Sequence, residues 1–167
     1  MFLPSTSLRH APAAVRRRAG FTLVEILIVA AIIGLLSAIA IASMARIRRI
    51  TRENICLNDL RVIGDAIDLL AFETGMWPGG HTPGEVADVE VWDLSAPRAG
   101  LVATDGRFPD WKGPYLRRVP RDPWGNHYFF DPDYFIGGDV YPVMGSFGPD
   151  GIGRNRYNAD DIYVIMR

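Results

Sequence analysis

Residues 16–45 read RRRAGFTLVEILIVAAIIGLLSAIAIASMA, a basic run followed by a long apolar segment. Three arginines come first, and the 17 residues from Ile26 to Ala42 then contain no charge and one polar side chain, Ser37. A helix over residues 21–45 is about 37 Å long, which exceeds the ~30 Å hydrocarbon core of a bilayer. The stretch therefore predicts a transmembrane helix over residues 21–45, because the rest of the chain is too small to surround it as a soluble core.

The helical pattern continues past the apolar stretch without a break. No proline occurs between Ala13 and Trp77, and apolar residues then recur every three or four positions. We therefore predict one helix from Phe21 to Thr74, amphipathic over residues 46–74, with Gly75 as its C-cap. The apolar stripe consists of Cys56, Leu60, Ile63, Ile67 and Leu70.

Residues 75–167 differ in composition and form the predicted globular domain. They hold 14 of the 17 glycines and all four tryptophans, and turn dipeptides such as Asp150-Gly151 separate short apolar clusters. Such short stretches predict a small antiparallel sheet packed on the helix stripe, in the α+β class. The candidate strands are Val89–Leu94, which has the weakest pattern, His127–Asp131, Val140–Phe147 and Ile162–Met166.

Charge and composition exclude several classes of function. From Glu53 onward the chain carries 10 basic and 18 acidic residues, whereas a general nucleic-acid-binding protein needs an excess of cations. The single cysteine, Cys56, excludes an internal disulfide. His81 and His127 lack metal-ligand spacing and no glycine-rich phosphate loop follows a strand, so no enzyme is predicted. The tryptophans are expected to fill the core rather than to form a glycan-binding face.

A basic run before an apolar segment is the general form of an export signal, and it leaves two alternatives. Ala40-Ile41-Ala42 offers a signal-peptidase site, whose cleavage would release a calcium- or glycan-binding domain beginning at Ser43. Against this, the apolar run exceeds the usual 7–15 residues and contains Glu25. A charge at the bilayer centre costs roughly 2.5–3.5 kcal/mol, so Glu25 indicates a function and a partner.

Gly20-Phe21-Thr22-Leu23-Val24-Glu25 resembles the processing site of type IV pilins and of the pseudopilins of type II secretion. The resemblance implies that residues 1–20 are a leader, that a prepilin peptidase cuts after Gly20, and that Phe21 becomes the methylated amino terminus. It also implies that the Glu25 carboxylate attracts the amino terminus of a neighbouring subunit during assembly. An ammonium close to a carboxylate stabilises the ion in low-dielectric surroundings. Many relatives have proline near the position of Ala42, and this chain does not.

Two motifs of the globular domain indicate which branch of this superfamily the chain resembles. Gly113-Pro114-Tyr115-Leu116 and Asp122-Pro123-Trp124-Gly125-Asn126 resemble a segment of the major pseudopilins of type II secretion. This resemblance implies a pilin-like fold and a structural role in a periplasmic pseudopilus that drives protein export. It implies a single-pass protein of the bacterial inner membrane with its carboxy-terminal domain in the periplasm. The implied partners are further copies of the chain in a helical filament, minor pseudopilins and the inner-membrane secretion platform. A surface type IV pilus subunit is the alternative within the same superfamily.

The carboxy-terminal motifs suggest a metal site. Acidic glycine-rich loops are compatible either with solvated turns or with Ca²⁺, which takes six to eight oxygen ligands. Residues 146–151, SFGPDG, and 158–162, NADDI, resemble the terminal calcium loop of the same group. The resemblance implies bound Ca²⁺, and the arginines at 154 and 156 depart from the pattern. The implied ligands are the side chains of Asp150, Asp160 and Asp161 and the backbone carbonyls of Phe147 and Ile152.

Overall fold

A computed structural model of the chain describes residues 20–86, 89–154 and 160–166, without the side chain at position 42. Residues 1–19 of the predicted leader, and residues 158–159 of the predicted calcium loop, lie outside this part. The elements in chain order are helix α1 (Leu23–Thr74), a short 3₁₀ turn (Pro97–Ala99), and strands β1 (Phe129–Ile136), β2 (Asp139–Ser146) and β3 (Ile162–Ile165).

The chain divides into two compact units, residues 1–43 and 44–167, and α1 contributes to both. In the first unit, the large apolar side chains are exposed, from 52% at Val29 to 84% at Phe21. Within the described residues, α1 is the one helix that is long and apolar enough to cross a membrane by length and composition. The predicted helix is thus confirmed, beginning at Leu23 rather than Phe21 and ending at Thr74.

The amphipathic part of α1 builds the core of the second unit. Its predicted stripe is confirmed, because all five of its side chains are at most 1% exposed. Burying one such side chain stabilises the fold by about 1.5–3 kcal/mol. The helix ends where predicted, because Gly75 has a φ of 70° and its N–H reaches the carbonyl of Ala71 at 2.8 Å.

The three strands form an antiparallel sheet in the order β1-β2-β3, with an apolar cluster on each face. Phe130 and Met144, which pair across β1 and β2, belong to the cluster that contains the helix stripe. Their strand neighbours Phe129 and Val143 belong to the second cluster, as the two-residue period of a strand requires. Gly64 of α1 permits close packing, since a Cβ there would lie 2.7 Å from the Met144 methyl.

The prediction of a strand over Val89–Leu94 is wrong. Only Val91 forms a bridge, to Phe130, and the Asp93 carboxylate accepts the backbone N–H of Ser95 and turns the chain. This local side-chain hydrogen bond competes with continuation of a strand.

Strand β1 extends further than predicted. It runs to Ile136 and contains Pro132, which cannot donate to a neighbouring strand. The pairing with β2 is irregular between Asp131 and Tyr134, and this bulge accommodates the proline.

Candidate functional site

The predicted processing site lies just ahead of a capped helix. Gly20 and Phe21 are exposed and precede the first helical residue, Leu23. Glu25 Oε2 accepts the backbone N–H of Thr22 at 2.8 Å and its hydroxyl at 2.9 Å, while Thr22 Oγ1 accepts the N–H of Glu25 at 3.2 Å. This reciprocal pair is a capping box, which fixes where the helix begins. The peptide bond between Gly20 and Phe21 is therefore on non-helical, accessible chain.

Asp150 and Asp160, two of the predicted calcium ligands, are brought together. The N–H of Asp150 lies 3.2 Å from Asp160 Oδ2, and Asp150 Oδ1 accepts the N–H of Ile152 at 2.7 Å. Gly148 has a φ of 62°, and a Cβ there would lie 2.1 Å from the carbonyl oxygen of Asp160. The beginning and the end of the predicted loop are thus in direct contact at Gly148.

The third predicted carboxylate, Asp161, contacts the sheet. Its Oδ2 accepts the hydroxyl of Tyr134 at 2.6 Å. Burial, together with this hydrogen bond, raises the pKa of Tyr134 above its ordinary value, so the hydroxyl stays protonated and donates. Phe147, a predicted carbonyl ligand, anchors the loop to the second cluster by stacking on Phe129 with ring centroids 4.5 Å apart. Ile152, the other one, is 49% exposed.

The donor set of this loop fits Ca²⁺ in its chemistry. The Asp160 carboxylate accepts the backbone N–H of Asp150, so two residues with hard carboxylate oxygens are neighbours here, and the glycines leave room for a close approach. Over residues 20–86, 89–154 and 160–166, no group of three His, Cys, Asp or Glu side chains is placed so that it could hold a metal. Of the three predicted carboxylate ligands, Asp150 and Asp160 are in contact, and Asp161 is bound by Tyr134.

Asp122 forms a buried polar cluster beside this loop, and sequence reasoning assigned it no role. Its side chain is 4% exposed. Oδ1 accepts the N–H of Trp124 at 3.0 Å and of Asn126 at 2.7 Å, and Oδ2 accepts the Ser146 hydroxyl. The Asn126 amide donates to Asp122 Oδ2 and also to the carbonyl of Gly148, at 3.0 Å. Its sequence signal was the Asp-Pro-Trp-Gly-Asn turn itself, since aspartate caps such turns.

The histidines are placed differently from each other. His127 Nδ1 lies 2.8 Å from Asp93 Oδ1 and borders an open cavity of about 480 Å³ next to the loop. The Ser95 hydroxyl donates to the same Asp93 oxygen, so this cluster does not present a serine nucleophile to the imidazole. His81 directly follows the turn at residues 78–80 and is buried: it is 7% exposed, and its Nε2 lies 3.0 Å from the Val89 carbonyl oxygen.

Comparison with known families matches two parts of the chain. Residues 15–41 match the model described as the prokaryotic N-terminal methylation motif, and residues 98–164 match the model of type II secretion system protein G. The first match contains the predicted cleavage site and Glu25. The second contains the Asp122 turn, the predicted calcium loop and all of the three-stranded sheet except Ile165.

Relatives described as type II secretion system core protein G are similar along most of the chain. The protein from Klebsiella pneumoniae is 28% identical over 148 residues, which are 88% of this chain and 94% of the relative. The Aeromonas hydrophila protein is 28% identical over 81% of this chain and 86% of its own length. The Pseudomonas aeruginosa protein is 27% identical over 88% and 94%, respectively.

Among solved structures, the major pseudopilin from the type 2 secretion system of enterohaemorrhagic Escherichia coli is similar. Its crystal structure is 20% identical, with a TM-score of 0.49 over 70% of this chain and 84% of that one. The two family matches and the relatives point the same way: the chain is similar to type II secretion system core protein G along most of its length.

Proposed function

We propose that this protein is the main structural subunit of a periplasmic pseudopilus and that it assembles through α1 to drive protein export. One observation carries the proposal: a methylation motif leads directly into an exposed apolar helix, and the same chain continues into a protein G domain. Export is mechanical in this proposal, with growth of the filament pushing cargo outward. We propose no catalytic role for the chain.

The proposed location is the bacterial inner membrane, crossed once, with residues 75–167 in the periplasm. Charge alone does not give this orientation, since arginines at 16–18 precede the apolar segment and others at 46, 48, 49 and 52 follow it. The methylation motif supports this orientation. It lies at the amino-terminal end of the apolar helix, where the leader has to be accessible to a membrane peptidase. After assembly the subunit leaves the bilayer and becomes part of the pseudopilus.

Processing and assembly are proposed to depend on Gly20, Phe21 and Glu25. Cleavage after Gly20 would leave Phe21 as the amino terminus, four residues before Glu25 and just ahead of the capping box. A Glu25 carboxylate of one subunit would then attract the methylated amino group of the next. Further proposed partners are the prepilin peptidase, minor pseudopilins and the inner-membrane platform.

We also propose that the carboxy-terminal loop binds Ca²⁺. The support is the contact between Asp150 and Asp160 and the glycine conformation that allows it. Without an ion, neighbouring carboxylates repel each other, so a bound cation would stabilise the loop. In a protein with one cysteine, which is buried, this cation would do what a disulfide does in other small exported domains.

The experiment that tests the function is the intact mass of the full chain extracted from membranes of cells that contain a prepilin peptidase. The expected mass corresponds to a chain that begins at Phe21 and carries one methyl group. A soluble chain that begins at Ser43 would instead identify an ordinary signal peptide and overturn the proposal. Deletion of the gene separates the two filament types: loss of protein export indicates a pseudopilus, and loss of surface filaments without an export defect indicates a type IV pilus.

A further inference from the structure

We infer that Asp122 and Asn126 are positioning residues that hold residues 147–152, the first half of the predicted calcium loop, in the shape that receives the ion. The inference deepens the calcium site proposed above and rests on it. Neither residue is among the implied ligands. Both act on the loop through their hydrogen bonds to Ser146 and Gly148.

The Asp122 carboxylate is a buried acceptor surrounded by donors. Two backbone N–H groups of its own turn, from Trp124 and Asn126, meet one oxygen. The Ser146 hydroxyl and the Asn126 amide meet the other. Hydrogen bonds to an ionised carboxylate are roughly twice as strong as neutral ones, and both oxygens are used here. The carboxylate therefore fixes the Asn126 side chain and Ser146 relative to each other.

The Ser146 hydroxyl and the Asn126 amide then form hydrogen bonds with both backbone polar groups of Gly148. The Gly148 N–H donates to Ser146 Oγ at 3.1 Å, and the Gly148 carbonyl accepts the Asn126 amide at 3.0 Å. A Cβ at Gly151 would also lie 2.8 Å from Asn126 Oδ1, so the loop packs directly on this side chain. Gly148 also lies close to Asp160, since a Cβ at 148 would be 2.1 Å from the Asp160 carbonyl oxygen, so the position of Gly148 sets where the two halves of the loop meet.

Because of these hydrogen bonds, less of the loop has to become ordered when the ion binds. A loop that is fixed before binding loses less conformational entropy when the ion arrives, and the affinity is correspondingly higher. Replacing a group that orients metal ligands typically lowers metal affinity by 10- to 100-fold. An amide at position 122 would keep an oxygen for the two turn N–H groups but place its NH₂ group against the Asn126 amide donor, so Asp122→Asn weakens the cluster at almost constant volume.

The test uses the full chain in detergent and compares Asp122→Asn with two matched variants. Asp93→Asn removes a carboxylate that also caps a turn and accepts a serine hydroxyl, but whose hydrogen bonds go to Ser95 and His127. Leu70→Ala opens the core at the helix stripe and lowers the melting temperature without touching Asp122 or the second cluster, to which Phe147 belongs. Two quantities are measured: the amide hydrogen exchange of residues 147–153 without calcium, and the dissociation constant for Ca²⁺.

We expect Asp122→Asn to raise exchange in residues 147–153 at least tenfold and to weaken Ca²⁺ binding 10- to 100-fold. Asp93→Asn, and Leu70→Ala at an equal loss of melting temperature, are expected to change both by less than threefold. Unchanged loop exchange in Asp122→Asn, or an equal change in Leu70→Ala, overturns the inference. If the unmutated chain binds no Ca²⁺, the calcium proposal fails, and the exchange data still decide whether Asp122 holds the loop.

Discussion

The hydroxyl of Tyr128 donates a 2.9 Å hydrogen bond to the carboxylate of Asp59, a residue of α1 that lies 69 positions earlier in the chain. Tyr128 has no exposed surface, and burial raises its pKa above the ordinary value, so it remains a donor at any physiological pH. This bond joins the amphipathic half of α1 to the segment that enters β1. A second tyrosine, Tyr115, makes a similar 2.7 Å bond to Glu73 near the end of the helix.

Replacing Tyr128 by phenylalanine should therefore lower the free energy of unfolding by about 1–2 kcal/mol, since the bond goes to a charged acceptor that water only partly replaces. The measurement is urea unfolding of the full chain in detergent. Tyr115→Phe is the control, with an expected loss of about 0.5 kcal/mol because that tyrosine is only half-buried. Equal losses in the two variants would show that burial of the bond is not what matters.

The buried stripe of α1 could be predicted from sequence because helical periodicity is a local signal. The same holds for the C-cap, because a glycine just past the last periodic residue adopts the left-handed conformation at little cost. The full length of β1 could not be predicted. Pro132 interrupts its pattern, and only pairing with β2 shows that a bulge accommodates the proline.

The candidate sites were predictable as residue types but not as contacts. The Gly20–Glu25 motif was visible because all of its residues are adjacent. Whether Asp161 lies with Asp160 or against the sheet depends on Tyr134, which is 27 positions away. The burial of Asp122 likewise depends on Ser146, a partner 24 positions away. No local pattern reports such pairs.

Asp131 gives the domain an unusual pH dependence. It is 1% exposed, and Oδ2 makes no hydrogen bond within the part of the chain that the structure describes. Burial, and then the neighbouring Asp133 carboxyl, raise the pKa of Asp131 to about 7, with Glu90 contributing in the same direction. The folded chain therefore holds a proton that the unfolded chain releases between about pH 4 and 7. This contribution to stability is complete below the unfolded pKa and is lost as the pH rises through the folded pKa.

We predict that Asp131→Asn removes this dependence, because an amide retains the acceptor for the Asp133 N–H and carries no charge. The unfolding free energy of the variant minus that of the unmutated chain should rise by on the order of 2–4 kcal/mol when the pH is raised from 5 to 8. Denaturant midpoints at the two pH values measure this gain. The exposed residue Asp139 provides the control, and Asp139→Asn should leave the dependence of unfolding free energy on pH unchanged. If that dependence persists in Asp131→Asn, Asp131 is not its cause.

Gly148→Ala tests the contact at the meeting point of the loop. Both Gly148 and Gly137 have φ near 62°, so alanine costs about 1–2 kcal/mol in strain at either position. A Cβ at 148 would additionally collide with the Asp160 carbonyl, whereas one at 137 meets nothing within 4 Å. Gly148→Ala should therefore lower the melting temperature clearly more than Gly137→Ala does. Equal losses of melting temperature in the two variants would mean that the Asp160 carbonyl is not in close contact with Gly148.

Calcium should stabilise the full chain measurably. Binding to the native state alone adds about 2.7 kcal/mol at a hundredfold excess over Kd, and each kcal/mol raises Tm by roughly 4–8 °C for a domain of about 100 residues. Melting curves in millimolar calcium and in chelator should differ by at least several degrees, and Asp150→Ala should abolish the difference. Magnesium should substitute poorly because it demands a smaller, near-octahedral shell. Identical melting curves for metal-stripped and calcium-loaded protein would contradict the proposed calcium site.

The Glu25 carboxylate caps α1 through Thr22, and the role proposed for it in attracting the amino terminus of the next subunit can be tested separately. Glu25→Gln keeps an oxygen that accepts the Thr22 N–H and hydroxyl but removes the charge, whereas Glu25→Ala removes both. Both variants should insert into the membrane at least as well as the unmutated chain, because a charge leaves the bilayer. If the charge drives assembly, neither should form filaments, as scored by electron microscopy of sheared fractions, while processing at Gly20 stays normal by mass. Normal filaments from Glu25→Gln would mean that capping alone is what assembly requires.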